Sequence, residues 1–538
     1  MRKITAFFSV LLFSFFASAE RGPNVVLIFT DDLDFDEIGT YDPMGYPTHT
    51  AAKRNGFSNR GHWGFYPQKP VTPNIDSIAS GGIRFMRFYV PITVCTPSHA
   101  LLTGQRCGRS AAVQERFSSD QEASVEFTAS LLPEEWNVAR ALQAVGYRTG
   151  FVGKWHLLSP SVEQKLLPED SMSIEEMRRA QSPVSEKLLN DLKRRYGIFQ
   201  TYIRDQYGFD FVDGLYVANK NQTGMPDAWL PEGNMEWMTW HAVRFIEANK
   251  DHPFFLQFAP NVPHGMHGPR HIWEGDSRTT PAGLVEEHIG TQPSFEDIRN
   301  RIKEQGLDSS AAIPMYLDDG VGVILKTLRD LGLEQDTLIV FASDHQSRGK
   351  WTAYEAAHIP ALAMWPGKIK AGRVSDLFCS TLDLAPTLLD VCGAAPPAAG
   401  EGMLDGRSLK HMLLDESAQL PEQPFLIEMG YAKAVLFQNW KYIAVRYPEN
   451  NAGQIMKRTG GRPDYRGARR WTNVDVSIFP NVSAREQLYD LNADPFEQTN
   501  LVNDERLAGK VMEMRQYMSQ LAKELPHPFG EFTSEEEQ

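Results

Sequence analysis

Two polar pairs carry the first suggestion of chemistry: Asp31-Asp32 in IFTDD and Asp344-His345 in FASDH. Brought together, their carboxylates would offer the hard oxygen ligands that calcium and magnesium take. His345 would be an unusual calcium ligand and could instead orient a neighbour. An acidic loop is the plainer reading of the first pair, because Asp34, Asp36 and Glu37 follow it. Lys154, His156, His264 and Lys350 add cations and proton-transfer groups. Singly, each reads as a surface lysine or a hydrogen-bonded histidine. Beside a divalent metal, the lysines suit a tetrahedral oxyanion, and histidine titrates near neutral pH for acid–base work. Cys95, in PITVCTPSHALLTG, completes the set. It stands just ahead of Pro97, where a helix start is expected with proline in the first turn. Such a start presents N–H groups and a positive dipole to an anion. A buried thiol or a nucleophilic cysteine would look the same at this level.

The elements around these residues predict that they meet. The first two-thirds of the chain alternates strand-like and helix-like segments, the signature of an α/β fold with a large, mostly parallel sheet flanked by helices. NVVLIFT (24–30) is a continuous apolar run, as expected of a central parallel strand. TPNIDSIASGG then supplies Thr72 as N-cap, Pro73 at the first helical position and glycine as the stop. Asp31-Asp32, Lys154 with His156, His264, and Asp344-His345 each follow a predicted strand. In open parallel sheets the carboxyl ends of the strands share one edge, where ligands bind. Four polar clusters at four such ends predict one shared site. From about Ser417 the pattern changes to short strands (PFLIEMG, AVLFQNWKYIAV, EQLYDL) and a helix near 505–524, a smaller antiparallel sheet with a helix against it. The expected organisation is 1–19 signal peptide, 20–416 catalytic domain and 417–538 C-terminal α+β subdomain. Two regions read as inserted, 42–70 and the charged, helix-prone 160–205, and a third stretch, 265–311, is largely polar.

Composition bounds the function. The chain has 538 residues, 42% hydrophobic and 23% charged, with a net charge of −14. That balance argues against nucleic acid as a general partner, while one local cationic pocket could still hold a small anion. Arg2 and Lys3, the apolar run 4–16 and Ala17-Ser18-Ala19 read as a cleaved export signal, placing the mature protein, from near Glu20, in the periplasm or outside the cell. The run is too short to span a bilayer, and no later segment is long enough, so no membrane association is expected. The four cysteines, Cys95, Cys107, Cys379 and Cys392, make no disulfide scaffold; Cys379 and Cys392 could pair or stay as buried thiols.

CTPSHALLTG resembles the signature of the formylglycine-dependent (type I) sulfatases, in which Cys-x-Pro-x-Arg leads into a Leu/Thr-Gly helix. IFTDD, GYRTGFVGKWHL, APNVPH, FASDHQ, GKWTAYEAAHIP, DGRSL and LYDLNADPFEQTNL resemble further landmarks of that family, in the expected order. The resemblance runs from Asn24 to about Val502 and implies an alkaline-phosphatase-like fold. It also implies hydrolysis of sulfate esters, with a sulfated saccharide as the expected substrate. By that resemblance Cys95 would be oxidised by a separate formylglycine-generating enzyme to formylglycine, whose hydrated aldehyde attacks sulfur. Asp31, Asp32, Asp344 and His345, with the residue derived from Cys95, would hold one calcium ion in preference to magnesium. Lys154 and Lys350 would hold sulfate oxygens. His156 would help deprotonate the second hydroxyl, and His264 would protonate the leaving oxygen while contacting substrate.

The pattern departs from the family at three places. His99 stands where arginine is usual, Gln346 where glycine is common, and His358 where a further arginine is found. Histidine is shorter than arginine and lacks its bidentate fork, though His99 could donate one hydrogen bond to the diol. Two alternatives therefore stand beside the sulfatase: a phosphate or phosphonate ester hydrolase on the same scaffold, and a non-catalytic protein that binds sulfated glycans. A basic loop at 457–470, KRTGGRPDYRGARR, could meet further sulfates on a polymer or be simply a solvated loop.

Overall fold

The computed structural model describes residues 22–44, 70–95, 97–125, 129–179, 184–219, 225, 233–264, 278–285, 289–346, 351–353, 355–446, 481 and 484–529. The expected signal peptide, the basic loop 457–470, Lys350 and the side chain of His99 lie outside the described residues. Among the described residues, no helix is long and apolar enough to cross a membrane.

The main sheet has eight strands: β1 Asn24–Thr30, β2 Ile83–Phe85, β3 Arg148–Lys154, β4 Phe211–Tyr216, β5 Phe254–Ala259, β6 Thr337–Ser343, β7 Ala361–Met364 and β8 Arg373–Ser375. Their spatial order is β8-β2-β7-β6-β1-β5-β3-β4. Only β7 runs antiparallel to its neighbours. β1 lies at the centre, in register with β6 from Asn24↔Thr337 to Thr30↔Ser343. All seven of its residues are buried. Alternation along the strand divides them between two cores: Val25, Leu27 and Phe29 face one, Val26 and Ile28 the other. Burial on both faces explains the continuous apolar run in the sequence.

The helix Pro73–Gly81 starts after Thr72 as predicted, but the Thr72 hydroxyl does not cap its backbone. It accepts from Gly39 N at 2.9 Å and donates to Asp76 Oδ1 at 3.1 Å, so a neighbouring turn and a first-turn carboxylate take the hydroxyl instead. The segment 160–205 carries three helices, Pro160–Leu166, Ile174–Arg179 and Glu186–Tyr207. Ser159 and Ser185 cap the first and third through Val162 N and Leu188 N. Cys379 and Cys392 are both free and buried.

The second sheet is antiparallel, with strands Phe425–Met429, Ala432–Phe437, Trp440–Val445 and Glu486–Asp490 in sequence order. Leu426, Val435, Tyr442 and Leu488 pack on the C-terminal helix Ala508–Lys523 through Val511, Met514 and Met518. The opposite face, with Ile427, Ala434, Ile443 and Tyr489, joins one of the two main cores. The small sheet is thus bonded by apolar burial to the layer that supports the site.

Candidate active site

Four adjacent parallel strands deliver the polar residues. β1 runs into Asp31-Asp32 and β6 into Asp344-His345, while β3 ends on Lys154 two residues before His156. β5 leads through Pro260 to His264, whose backbone N–H donates to Asp31 O at 3.0 Å. Cys95 reaches the same edge from the segment after Tyr89 and is 3% exposed. The helix that follows it spans Pro97–Thr103. Close approach of β3 to β5 demands a glycine just before Lys154. Gly153 has φ +117, and a Cβ there would lie 2.1 Å from Ala259 O.

The geometry is tight. Lys154 Nζ lies 2.5 Å from Asp31 Oδ2. Asp344 Oδ1 accepts from Asp32 N at 2.8 Å and His345 N at 2.7 Å. Asp32 has φ +61 and places its carboxylate 3.1 Å from His345 Nδ1 and 3.6 Å from His264 Nε2. His345 is fully buried; its Nδ1 is 2.9 Å from Gln346 O, and its Nε2 is 3.5 Å from Asp344 Oδ2 and 3.6 Å from Cys95 Sγ. A carbonyl can only accept, so Nδ1 carries a proton, and in the neutral ring Nε2 is the nitrogen left with a lone pair. His156 and His264 both hydrogen-bond with the Cys95 side chain.

Charge is unevenly distributed here. Burial pushes the Asp344 carboxyl well above the usual range; Asp31 and Asp32 reinforce that push, and His345 opposes it. Burial works against the Lys154 ammonium, but Asp31, Cys95 and Asp344 outweigh it and hold its pKa above the ordinary lysine value. Burial and then Lys154 push His156 down. For His264 burial acts downward, yet Asp31 and Asp32 raise it well above the ordinary histidine value.

These residues suit a divalent cation. One ligand atom from each of Asp31, Cys95, Asp344 and His345 falls within a cluster where all lie within 4.8 Å of one another, and Asp31, Asp32 and His264 form a second such group. Asp31 Oδ1 is buried with no hydrogen-bond partner among the described residues. A cavity of about 10 Å³, the size for a single ion or water, is lined by Asp31, Cys95, Lys154, His156 and Asp344. A cation there would relieve the repulsion among the carboxylates.

The sulfatase family model matches residues 23–394, which contain every residue of this cluster. The chain belongs to the sulfatase family. It is 30% identical to human arylsulfatase A over 530 residues, covering 93% of this chain and 87% of that protein. It is 25% identical over 436 residues to the dog (Canis lupus familiaris) N-acetylgalactosamine-6-sulfatase, covering 77% and 70%. A structure solved with its substrate D-glucosamine-2-N,6-O-disulfate shares the fold at a TM-score of 0.56 and 18% identity, over 94% of this chain and 98% of that one. The eight-stranded, mostly parallel sheet with its small antiparallel companion is the alkaline-phosphatase-like architecture that the resemblance implied. This sulfatase is a sulfuric ester hydrolase.

Of the residues singled out in the sequence, Asp31, Asp32, Cys95, Lys154, His156, His264, Asp344 and His345 meet in one cluster. Sequence reasoning missed Glu355, Lys441 and Glu497, which connect to the cluster through the Gln346 side chain. Glu497 lies inside LYDLNADPFEQTNL, a landmark to which no role was attached.

Proposed function

We propose that this sulfatase removes sulfate from a carbohydrate, using a formylglycine made from Cys95 and one calcium ion. The observation that carries the reading is the convergence of ligand atoms of Asp31, Asp344, His345 and Cys95 to within 4.8 Å of one another, the first two and Cys95 lining a small cavity beside Lys154. Asp31, Asp32, Asp344 and His345 would hold the ion, whose positive charge would offset that of the sulfate oxygens. Converted, residue 95 would supply a hydrated aldehyde as nucleophile. Lys154, anchored by Asp31, is placed to bind a sulfate oxygen, and Lys350 would bind another. His156 and His264 flank the residue-95 side chain from different strands. We assign His156 to accept the hydroxyl proton that releases sulfate, and His264 to contact the substrate and protonate the departing sugar oxygen. His99 would donate a hydrogen bond to the diol in place of the family's arginine.

The saccharide assignment rests on the relative named for N-acetylgalactosamine-6-sulfate, joined to an export signal at the N-terminus. A formylglycine-generating enzyme is the partner required during maturation, and the mature chain would work in the periplasm or outside the cell. Two measurements test the reading. Mass spectrometry of the tryptic peptide 88–106 from the native producer should show the aldehyde; unmodified thiol throughout would rule the nucleophile out. Sulfate release from a panel of sulfated saccharides should exceed release of phosphate from matched phosphate esters.

A further inference from the structure

His345 is held in its tautomer by the Gln346 carbonyl, and Gln346 is itself held from outside the main sheet. Its backbone N–H donates to Ala356 O at 3.2 Å. Its side-chain Nε2 donates to Glu355 O at 2.8 Å and to His358 O at 2.5 Å. Glu355 has φ +60, a left-handed backbone that a residue with a Cβ adopts only at a cost of about 1–2 kcal/mol. Its backbone N–H donates to Glu497 Oε1 at 3.1 Å. Glu497, with φ +55, is left-handed as well. The same Oε1 takes Lys441 Nζ at 2.5 Å, and the Lys441 and Glu497 side chains are 1% and 0% exposed.

Two strained glutamates therefore meet across the boundary between the main sheet's loops and the small sheet. A buried ion pair spends one carboxylate oxygen on a backbone N–H of the active-site loop. Hydrogen bonds lead from Lys441 through Glu497 to Glu355 N, and from Glu355 O to the Gln346 side chain; the covalent frames of Glu355 and Gln346 join these to the Gln346 carbonyl that takes His345 Nδ1. Strain of this kind persists where the surroundings over-determine it, and it gathers at functional sites. Outer-shell partners of a ligating histidine fix the ring's orientation and its basicity.

We infer that Glu497, with Lys441 as its counterion, is a positioning residue for this sulfatase: it holds Glu355, and through it Gln346, so that His345 presents Nε2 to the cluster. The small C-terminal sheet then serves turnover as well as folding. The inference rests on the reading of His345 as a metal ligand.

Paired variants of the matured enzyme test it. Lys441→Met with Glu497→Gln removes the charges but keeps an amide oxygen for Glu355 N. Lys441→Met with Glu497→Leu removes that acceptor and leaves no unpaired buried charge. With 4-nitrophenyl sulfate as probe, the Leu form should lose about 10- to 100-fold in kcat with KM changed less than threefold. Calorimetric titration with calcium should show affinity weakened about tenfold in the Leu form, and the Gln form should stay within threefold of wild type in both measurements. Equal kcat and equal calcium affinity in the two forms would overturn the inference. Gln346→Met leaves the ion pair intact and carries the expectation of the Leu form. If the Leu form does not accumulate, wild-type kcat and calcium affinity in Gln346→Met would overturn the inference. An unmutated enzyme that binds no calcium counts against the metal reading alone, because the kcat ratio between variants still decides the positioning role.

Discussion

Charge is buried in two places in this molecule, and the two are built on opposite rules. In the small sheet each buried acid has its own lysine. Glu428 lies opposite Lys433 across two strands, with the ion pair at 2.8 Å, and Glu497 takes Lys441. Burial works against the Glu428 carboxylate, but Lys433 and Arg106 hold its pKa below the usual range. At the main sheet's edge, Asp31, Asp32 and Asp344 crowd together with Lys154 as the one described lysine among them, and the Asp344 carboxyl is pushed well up. A lysine partner offsets much of the cost of burying an acid, although burial and then Glu355 still push the Glu497 carboxyl up against the pull of Lys441. An unmatched cluster keeps a repulsion that a bound cation would relieve, so it marks a candidate ligand site.

The difference can be broken most directly at Asp344. Asp344→Asn keeps an oxygen for the Asp32 and His345 N–H groups but removes a charge. Turnover should fall about 10³-fold or more. The metal-free protein should melt no lower than wild type, since a repulsion is relieved. A clear loss of metal-free stability would mean that this acid is as balanced as those in the small sheet.

Lys433→Met is the converse experiment. It strands Glu428 in the core and should cost about 3–5 kcal/mol, read as a lowered urea midpoint, with kcat at 25 °C within twofold. Calcium comes next in size. Removing it with a chelator should lower the melting temperature, and restoring it to a hundredfold excess over Kd should return about 2.7 kcal/mol. No calcium-dependent shift would show the carboxylate cluster to be self-sufficient.

The smallest effect sharpens the comparison with a lone acid. Burial pushes Glu163, on the first inserted helix, up to about 7, although Arg195 opposes it. The folded state then binds this proton more tightly than the unfolded chain does. Its contribution is fully present below the ordinary glutamate value and is lost as pH rises through about 7. Glu163→Gln should flatten that decline and gain about 1 kcal/mol at pH 8, discounted for partial solvent screening. Identical stability–pH curves for the two proteins would place Glu163 with the matched acids.

Much of this was legible in the residues. The run 24–30, buried on both faces, and the Thr-Pro start and glycine stop of the helix 73–81 are local patterns, set by side-chain burial and backbone sterics. The cluster was legible at one remove: parallel strands share a carboxyl edge, so polar residues after four strands had one place to meet. The Thr72 hydroxyl shows the limit. Its cap was expected from neighbours in sequence, and Gly39, brought in from a distant turn, competes for it.

The sequence by itself determined the α/β order, the ligand-bearing strand ends and membership in the sulfatase family, because each is written in local periodicity or in short motifs. Only the tertiary structure decided which acids are balanced and which are not. Glu497 and Glu355 stand 142 positions apart, and nothing near either one announces the other. Whether a buried carboxylate meets a lysine, a backbone N–H or another carboxylate depends on which strands become neighbours. That is a property of the packed sheets and of no single stretch of chain.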